Sequence, residues 1–254
     1  MEQKQQGKPK VVFVLGATAT GKSKLAIAVA ARFGGEVINS DKIQAYAGLP
    51  VITNKVTDEE CAGVPHHLLG CVRCPDDDFT AEDFCREAGA AIGRVVSSGA
   101  LPVVAEGSNH YVEALVDGGG AAFSNAHDCL FARATFDPGV ADYTRGVRRA
   151  IGLPEMDAYL RHEGADDEEE LLGAAVEEIK ANTFGLVLEQ VGKIQRMSTL
   201  EGWDVRREDC TELLAHVVAG EGVEELWRMK VWEPVEDMVR SFVDSDQSGR
   251  SLQC

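Results

Sequence analysis

The sequence predicts an α/β fold: a parallel sheet flanked by helices, with a mainly helical C-terminal half. Three observations carry that reading. Short apolar, β-branched runs stand at Val11–Leu15 and Leu101–Ala105, as strands buried on both faces do. Helix-forming stretches alternate with them, which is the pattern of βαβ units. Beyond residue 150 the strand signals give way to helical ones.

Residues 1–10 are polar and expected as a flexible tail. Val11–Leu15 forms the first strand, Gly16–Ser23 a turn, and Lys24–Phe33 a helix. Gly34 and Gly35 suit the end of that helix, because glycine enters the left-handed region without steric cost. Val37–Ile38 begin a second strand that closes at Asn39, Ser40 and Asp41. Thr80 offers an N-cap to a helix over Ala81–Val96, and Leu101–Ala105, closed by Gly107, is the third strand. Helices are then expected over Pro154–Arg161, Glu168–Ile179, Gly185–Met197, Asp209–Val218 and Val223–Met229. The acidic run Asp166–Glu170 lies where negative charge complements a helix dipole. The chain thus divides into an α/β core over 11–153, a helical region over 154–243 packing on it, and a flexible tail over 244–254.

Composition narrows the function classes. At 254 residues and 44% hydrophobic, the chain can bury a core and is too apolar for disorder. Its 25 Lys+Arg against 42 Asp+Glu give a formal charge of −17. Such a surface repels phosphate backbones and anionic membranes outside any local basic site, so neither nucleic acid nor membrane is an expected partner. No stretch approaches the roughly 18 uncharged apolar residues that a membrane span needs. Seven cysteines, an odd number, read as the reduced thiols of an intracellular protein.

One motif carries chemistry. Gly16-Ala17-Thr18-Ala19-Thr20-Gly21-Lys22-Ser23 matches G-x-x-x-x-G-K-[ST] throughout, between a strand and a helix as the motif requires. Its backbone N–H groups and the helix's positive end make an anion cradle. Lys22 reaches the outer phosphates, and the Ser23 hydroxyl suits a Mg²⁺ ligand. The sheet is therefore expected to be P-loop NTPase-like. Asp41 ends the next strand at the carboxyl edge of the sheet, where open α/β folds bind ligands. There it can act as a base or metal ligand, or simply cap the following turn. Asn54-Lys55 resembles half of a guanine-reading N-K-x-D, but Thr57 stands where the Asp should be, so a GTPase reading fails. Cys71 and Cys74 beside His66 and His67 lack a second pair at zinc spacing. Arg145, Arg148 and Arg149 form a local basic cluster, and Lys180, Lys193 and Arg196 lie on late helices. Each suits a helix surface; together they can match a pyrophosphate's charge.

These stretches, taken together, resemble the isopentenyltransferase family, in particular the plant adenylate isopentenyltransferases. The matching segments are Gly16–Ser23, Val37–Tyr46 (V-I-N-S-D-K-I-Q-A-Y), Thr53–Thr57 (T-N-K-V-T), Val64–Gly70, Gly107–Leu115, Asp142–Asp157, Lys180–Thr183 and Gly192–Met197. The tRNA-modifying branch resembles the loop and aspartate strand but usually reads T-A-K-P where this chain has T-N-K-V, and it would want a broad basic face. The resemblance implies that the dimethylallyl group of dimethylallyl diphosphate passes to the exocyclic amine of ATP, ADP or AMP, releasing pyrophosphate, as the first step of cytokinin synthesis. It assigns the base to Asp41. Lys22, Arg148, Lys193 and Mg²⁺ on Ser23 would stabilise the leaving diphosphate in the loop Gly16, Ala17, Thr18, Ala19, Thr20, Gly21, with Ser108 and Asn109 on the adenine side.

Two departures from the relatives stand out. Glu106-Gly107-Ser108 replaces Gly-Gly-Ser, and a strand-and-helix segment found in relatives is missing between Phe131 and Ala132. Its loss is expected to expose core and displace the Arg145–Arg149 cluster. Competing readings are a binding remnant without turnover, a tRNA dimethylallyltransferase and a small-molecule P-loop kinase. The protein is expected to act as a monomer, in the cytoplasm given the short leader, with the plastid as the alternative.

Overall fold

The computed structural model describes residues 9–105, 107–117, 142–162, 167–200, 203–245 and 252–253. Six strands make one sheet: β1 (Val12–Val14), β2 (Gly35–Asn39), β3 (His66–His67), β4 (Leu101–Ala105), β5 (Asp204–Val205) and β6 (Leu252–Gln253). They lie in the order β3-β2-β4-β1-β6-β5, every pair parallel. The C-terminal stretch expected to fray thus contributes a short strand beside β1. Val14 pairs with Ala105, and Asn39 pairs with Ala105 on its other side. The three central strands therefore end level, and the turns after them meet at one edge of the sheet. That shared edge is what builds the site.

Successive side chains of β1 point to opposite faces. Val11 and Phe13 join Ile38 and Val104 in a cluster covered by helix α2 (Ala81–Ser97) and helix α3 (Asn109–Asp117). Val12 and Val14 join Val37 and Val103 in a second cluster under helix α1 (Lys22–Phe33). A strand buried on both faces needs an unbroken apolar run, which is why V-V-F-V-L carries no polar alternation. The layers are helix, sheet, helix.

Local signals set the helix ends. Gly34, at φ 64°, closes α1 through its N–H to the Ala30 carbonyl. Thr80 and Asp83 form a reciprocal capping box on α2, each side chain accepting from the other's backbone N–H at 3.1 Å. Helix α3 was not foreseen from the sequence. It starts directly after Ser108, and Tyr111 on it stacks on Phe84 at 4.7 Å between ring centres.

In the second half, α4 (Leu153–Arg161) follows a short 3₁₀ turn at Gly146–Arg149. The two helices expected over 168–179 and 185–197 are a single 30-residue helix, α5 (Glu168–Met197). The intervening K-A-N-T-F contains no proline, and Gly185 merely weakens a helix held by neighbours. One tie is the buried Glu155 of α4, which accepts from Asn182 Nδ2 of α5 at 2.7 Å. Next come α6 (Thr211–Val218), α7 (Glu224–Trp227), a π-helical turn over Arg228–Trp232, and α8 (Glu233–Asp244). Pro234, lacking an N–H, sits just past the widened turn, a common cause of such a break in register. Helix α8 lays Val235 and Val239 on the α1 face of the sheet.

Candidate active site

The turn after β1 is the phosphate loop. Gly21, at φ 85°, opens α1, and Ala19 also takes a left-handed φ of 63°, so the loop curls back on itself. Thr20 Oγ1 donates to the Ala17 carbonyl at 2.8 Å, and Lys22 Nζ donates to the same carbonyl at 2.6 Å. The loop borders an open pocket of about 700 Å³, the size of a small-molecule site. Thr18, Ala19, Gly21, Lys22 and Ser23 line it together with Asn39, Asp41, Thr53, Lys55 and Arg149.

Asp41 is held by its own strand. Asn39 Oδ1 accepts from the Asp41 N–H at 3.1 Å, and Asn39 Nδ2 donates to the Asp41 carbonyl at 3.1 Å. One carboxylate oxygen, Oδ1, accepts from the N–H groups of Ile43 (2.8 Å) and Gln44 (3.2 Å). The capping role and the site role thus coexist. The other oxygen lies over Gly107: a β-carbon added there would stand 2.0 Å from Asp41 Oδ2. Burial pushes the Asp41 carboxyl above its ordinary range, and the backbone donors with Lys22 and Lys55 only partly offset this. A carboxylate with a raised pKa in a cleft is a stronger base than an exposed one.

The basic cluster divides. Arg149 borders the phosphate pocket and is paired with Asp78 at 2.8 Å. Arg148 instead pairs with Asp76 at 2.7 Å and lines a neighbouring apolar hollow with Leu49, Ile52, Val147, Leu153 and Met156. The segment is not cast adrift by the shortened chain. Val147 is buried, and its N–H donates to the Pro75 carbonyl at 2.9 Å. Residues 129–137, where the missing segment was inferred, lie outside the described residues, as does Glu106.

Other sequence candidates sit apart from the pocket lining. Lys193 is exposed, 3.9 Å from Glu189, and Lys180 pairs with Glu177. Arg196 pairs with Glu113. Ser108 accepts from the N–H of Tyr111 through its backbone carbonyl, and Asn109 is buried behind the site. Gly16 lies at the foot of the loop, where a β-carbon would stand 2.8 Å from Thr20 Oγ1. Three residues escaped the sequence reading as site members. Lys55 was legible only as part of a family match, Arg149 as one of three arginines, and Gln190 on α5 gave no signal. A glutamine on a helix reads as surface.

For metal, the described residues hold no cluster of three or more His, Cys, Asp or Glu. Ser23 and Asp41 do border the same pocket as the phosphate loop. The Ser23 hydroxyl is the oxygen that fits Mg²⁺, which takes one or two protein oxygens and completes its shell with water and substrate phosphates. Cys71 and Cys74 are free thiols.

Fold and site together define a phosphate-loop α/β protein with a half-buried carboxylate bordering the same pocket as the loop. Comparison with known proteins narrows the class. The profile of the IPP transferase family matches residues 44–141. Adenylate isopentenyltransferase 5, chloroplastic, of Arabidopsis thaliana is 44% identical over 93% of this chain and 81% of its own. Adenylate isopentenyltransferase 3, chloroplastic, of the same plant is 40% identical over 96% and 82%. Among solved structures, a eukaryotic dimethylallyltransferase acting on tRNA shares the fold, with a TM-score of 0.66 at 17% identity over 96% of this chain and 82% of that one. The chain belongs to the isopentenyltransferase family, and adenylate isopentenyltransferases match it over almost its whole length. The first alignment runs over 269 residues yet takes in 93% of 254, about 236, so some 33 aligned positions of the relative have no counterpart here. Among the described residues, no helix is long and apolar enough to cross a membrane.

Proposed function

We propose that this chain is an adenylate dimethylallyltransferase, with an adenine nucleotide (ATP, ADP or AMP) as acceptor and dimethylallyl diphosphate as donor. The observation that carries the reading is one pocket bordered both by the phosphate loop and by the Asp41 carboxylate, whose pKa burial raises. A new bond forms between the adenine exocyclic nitrogen and the allylic carbon, while the carbon–oxygen bond to diphosphate breaks. The nitrogen's proton passes to Asp41, a transfer of the kind that contributes about 10²–10⁴-fold. Lys22, the loop amides and Arg149 face the charge that gathers on the leaving diphosphate, where fixed donors act most strongly. Mg²⁺, held by Ser23 and the diphosphate oxygens, would add Lewis-acid stabilisation to that leaving group.

The chain's −17 charge favours a nucleotide over tRNA as acceptor. Relatives named chloroplastic favour the plastid over the cytoplasm as its compartment.

Incubation with dimethylallyl diphosphate, Mg²⁺ and each of AMP, ADP and ATP, read by mass spectrometry, tests the proposal. Prenylated nucleotide that disappears in Asp41→Asn is the expected result. No product from any nucleotide, with pyrophosphate still bound, would overturn it in favour of a binding remnant.

A further inference from the structure

We propose that Gln190, on the long helix α5, is a positioning residue that fixes the phosphate loop and the seat of Asp41 relative to each other. The inference rests on the proposed function for its catalytic half and on geometry for the rest. Gln190 is buried, 6% exposed, on a helix whose other faces are largely in solvent. Its carboxamide oxygen accepts from the Thr18 N–H of the phosphate loop at 2.7 Å. Its carboxamide nitrogen donates to the Gly107 carbonyl at 3.0 Å. Gly107 is the residue whose bare α-carbon makes room for the Asp41 carboxylate. A single planar amide thus spans the two halves of the site, one end on the element that cradles phosphate and the other on the floor under the base.

The backbone of Gln190 is itself tied down. Its carbonyl accepts from Asn109 Nδ2 at 2.9 Å, and Asn109 is buried at the start of α3. Among the described residues, Asn109 Oδ1 is buried without a hydrogen-bond partner. The bond to the Gln190 carbonyl is what fixes the Asn109 carboxamide. Asn109 thereby holds α5 at the depth where the carboxamide of Gln190 reaches both targets. Helix α5, far from the loop in sequence, becomes the strut of the site. Glutamine suits the task because it supplies a donor and an acceptor with no charge beside the phosphates. Glutamate would oppose the Gly107 carbonyl, and leucine would leave the Thr18 N–H and the Gly107 oxygen unpaired.

The test compares wild type with Gln190→Leu and Gln190→Glu. Melting temperature, calorimetric binding of inorganic pyrophosphate with Mg²⁺, and steady-state kinetics with dimethylallyl diphosphate and ADP are measured for each. Loss of the bond to the Gly107 carbonyl in both variants, and of the bond to the Thr18 N–H as well in Gln190→Leu, should weaken pyrophosphate binding about tenfold and lower kcat about tenfold, while the KM for ADP stays put. A glutamine that only braced the fold would lower the melting temperature and leave affinity and kcat of the folded protein at wild-type values; that result in either variant overturns the proposal. If the leucine variant does not fold, the glutamate variant, of the same shape, decides. Should wild type bind pyrophosphate but make no prenylated product, the proposed function fails and pyrophosphate affinity alone judges Gln190.

Discussion

Gly107→Ala is the sharpest perturbation of the site. A β-carbon at 107 would stand 2.0 Å from Asp41 Oδ2 and 2.4 Å from Asp41 Cβ and Cγ. Contacts of this kind do not occur below about 3 Å, so one side must yield by about 1 Å. Gly107 is the less free to move, because its carbonyl is held by Gln190 Nε2 and the strand before it is paired on both sides. Asp41 therefore shifts, giving up its Oδ1 contacts with the N–H groups of Ile43 and Gln44. A misplacement of about 1 Å in a catalytic group costs about 10²-fold. The expected outcome is a kcat about a hundredfold lower with dimethylallyl diphosphate and ADP. Pyrophosphate affinity should hold, since the loop itself is untouched. A Gly107→Ala enzyme within threefold of wild-type kcat would refute both the placement of Asp41 and its role.

Three further outcomes follow from the same geometry. Because burial raises the Asp41 pKa, kcat/KM should fall as pH drops through a value above the ordinary carboxylate range, an acid limb at higher pH than a solvent-exposed base would give. The same shift means that the ionised carboxylate costs stability above its folded pKa and none at low pH, where it is protonated in both states. Asp41→Asn should thus melt no lower than wild type at pH 8, with any advantage shrinking toward pH 4; calorimetric melting across pH would reveal a loss at pH 8 if this were mistaken. Arg149→Gln should weaken pyrophosphate binding by about tenfold, the worth of one charge-assisted contact, whereas Arg148→Gln should leave it within twofold. Equal losses in titration calorimetry would return Arg148 to the phosphate site.

Much of the core was legible because it is local. A doubly buried strand must be continuously apolar, a phosphate loop needs its glycines and lysine in fixed order, and a capping box announces itself at Thr80. Leu101–Ala105 and Ala81–Ser97 emerge almost as read for this reason. Less was legible where tertiary context decides. Lys180–Phe184 offered no clear helix signal, yet packing through Asn182 and Glu155 carries α5 straight through it. Which of two adjacent arginines faces the pocket depends on the phase of a four-residue 3₁₀ turn, and no propensity encodes that. Gln190 was invisible for the deeper reason that its role is a distance between two other segments, Thr18 and Gly107, that the sequence keeps 89 residues apart.

The shortened chain raises the question of how the basic cluster keeps its place, and Gly146 supplies the answer. Its backbone lies so close to the 75–78 loop that a β-carbon would stand 1.7 Å from the Pro75 carbonyl oxygen, and its φ of 54° is one that other residues adopt only under strain. The next residue, Val147, donates to that same carbonyl and is buried in the α2 face of the core. Arg149 then reaches back to Asp78 and borders the phosphate pocket. The cluster is therefore anchored from the N-terminal side of the site, through residues 75–78. Gly146→Ala should undo that anchor. The steric conflict is with backbone, so the whole turn must move, and Arg149 moves with it. Pyrophosphate affinity is expected to fall as far as in Arg149→Gln, and combining the two substitutions should add little, because both remove the same cation from the same place. Full additivity in the double variant would mean that the turn holds more of the site than Arg149 alone.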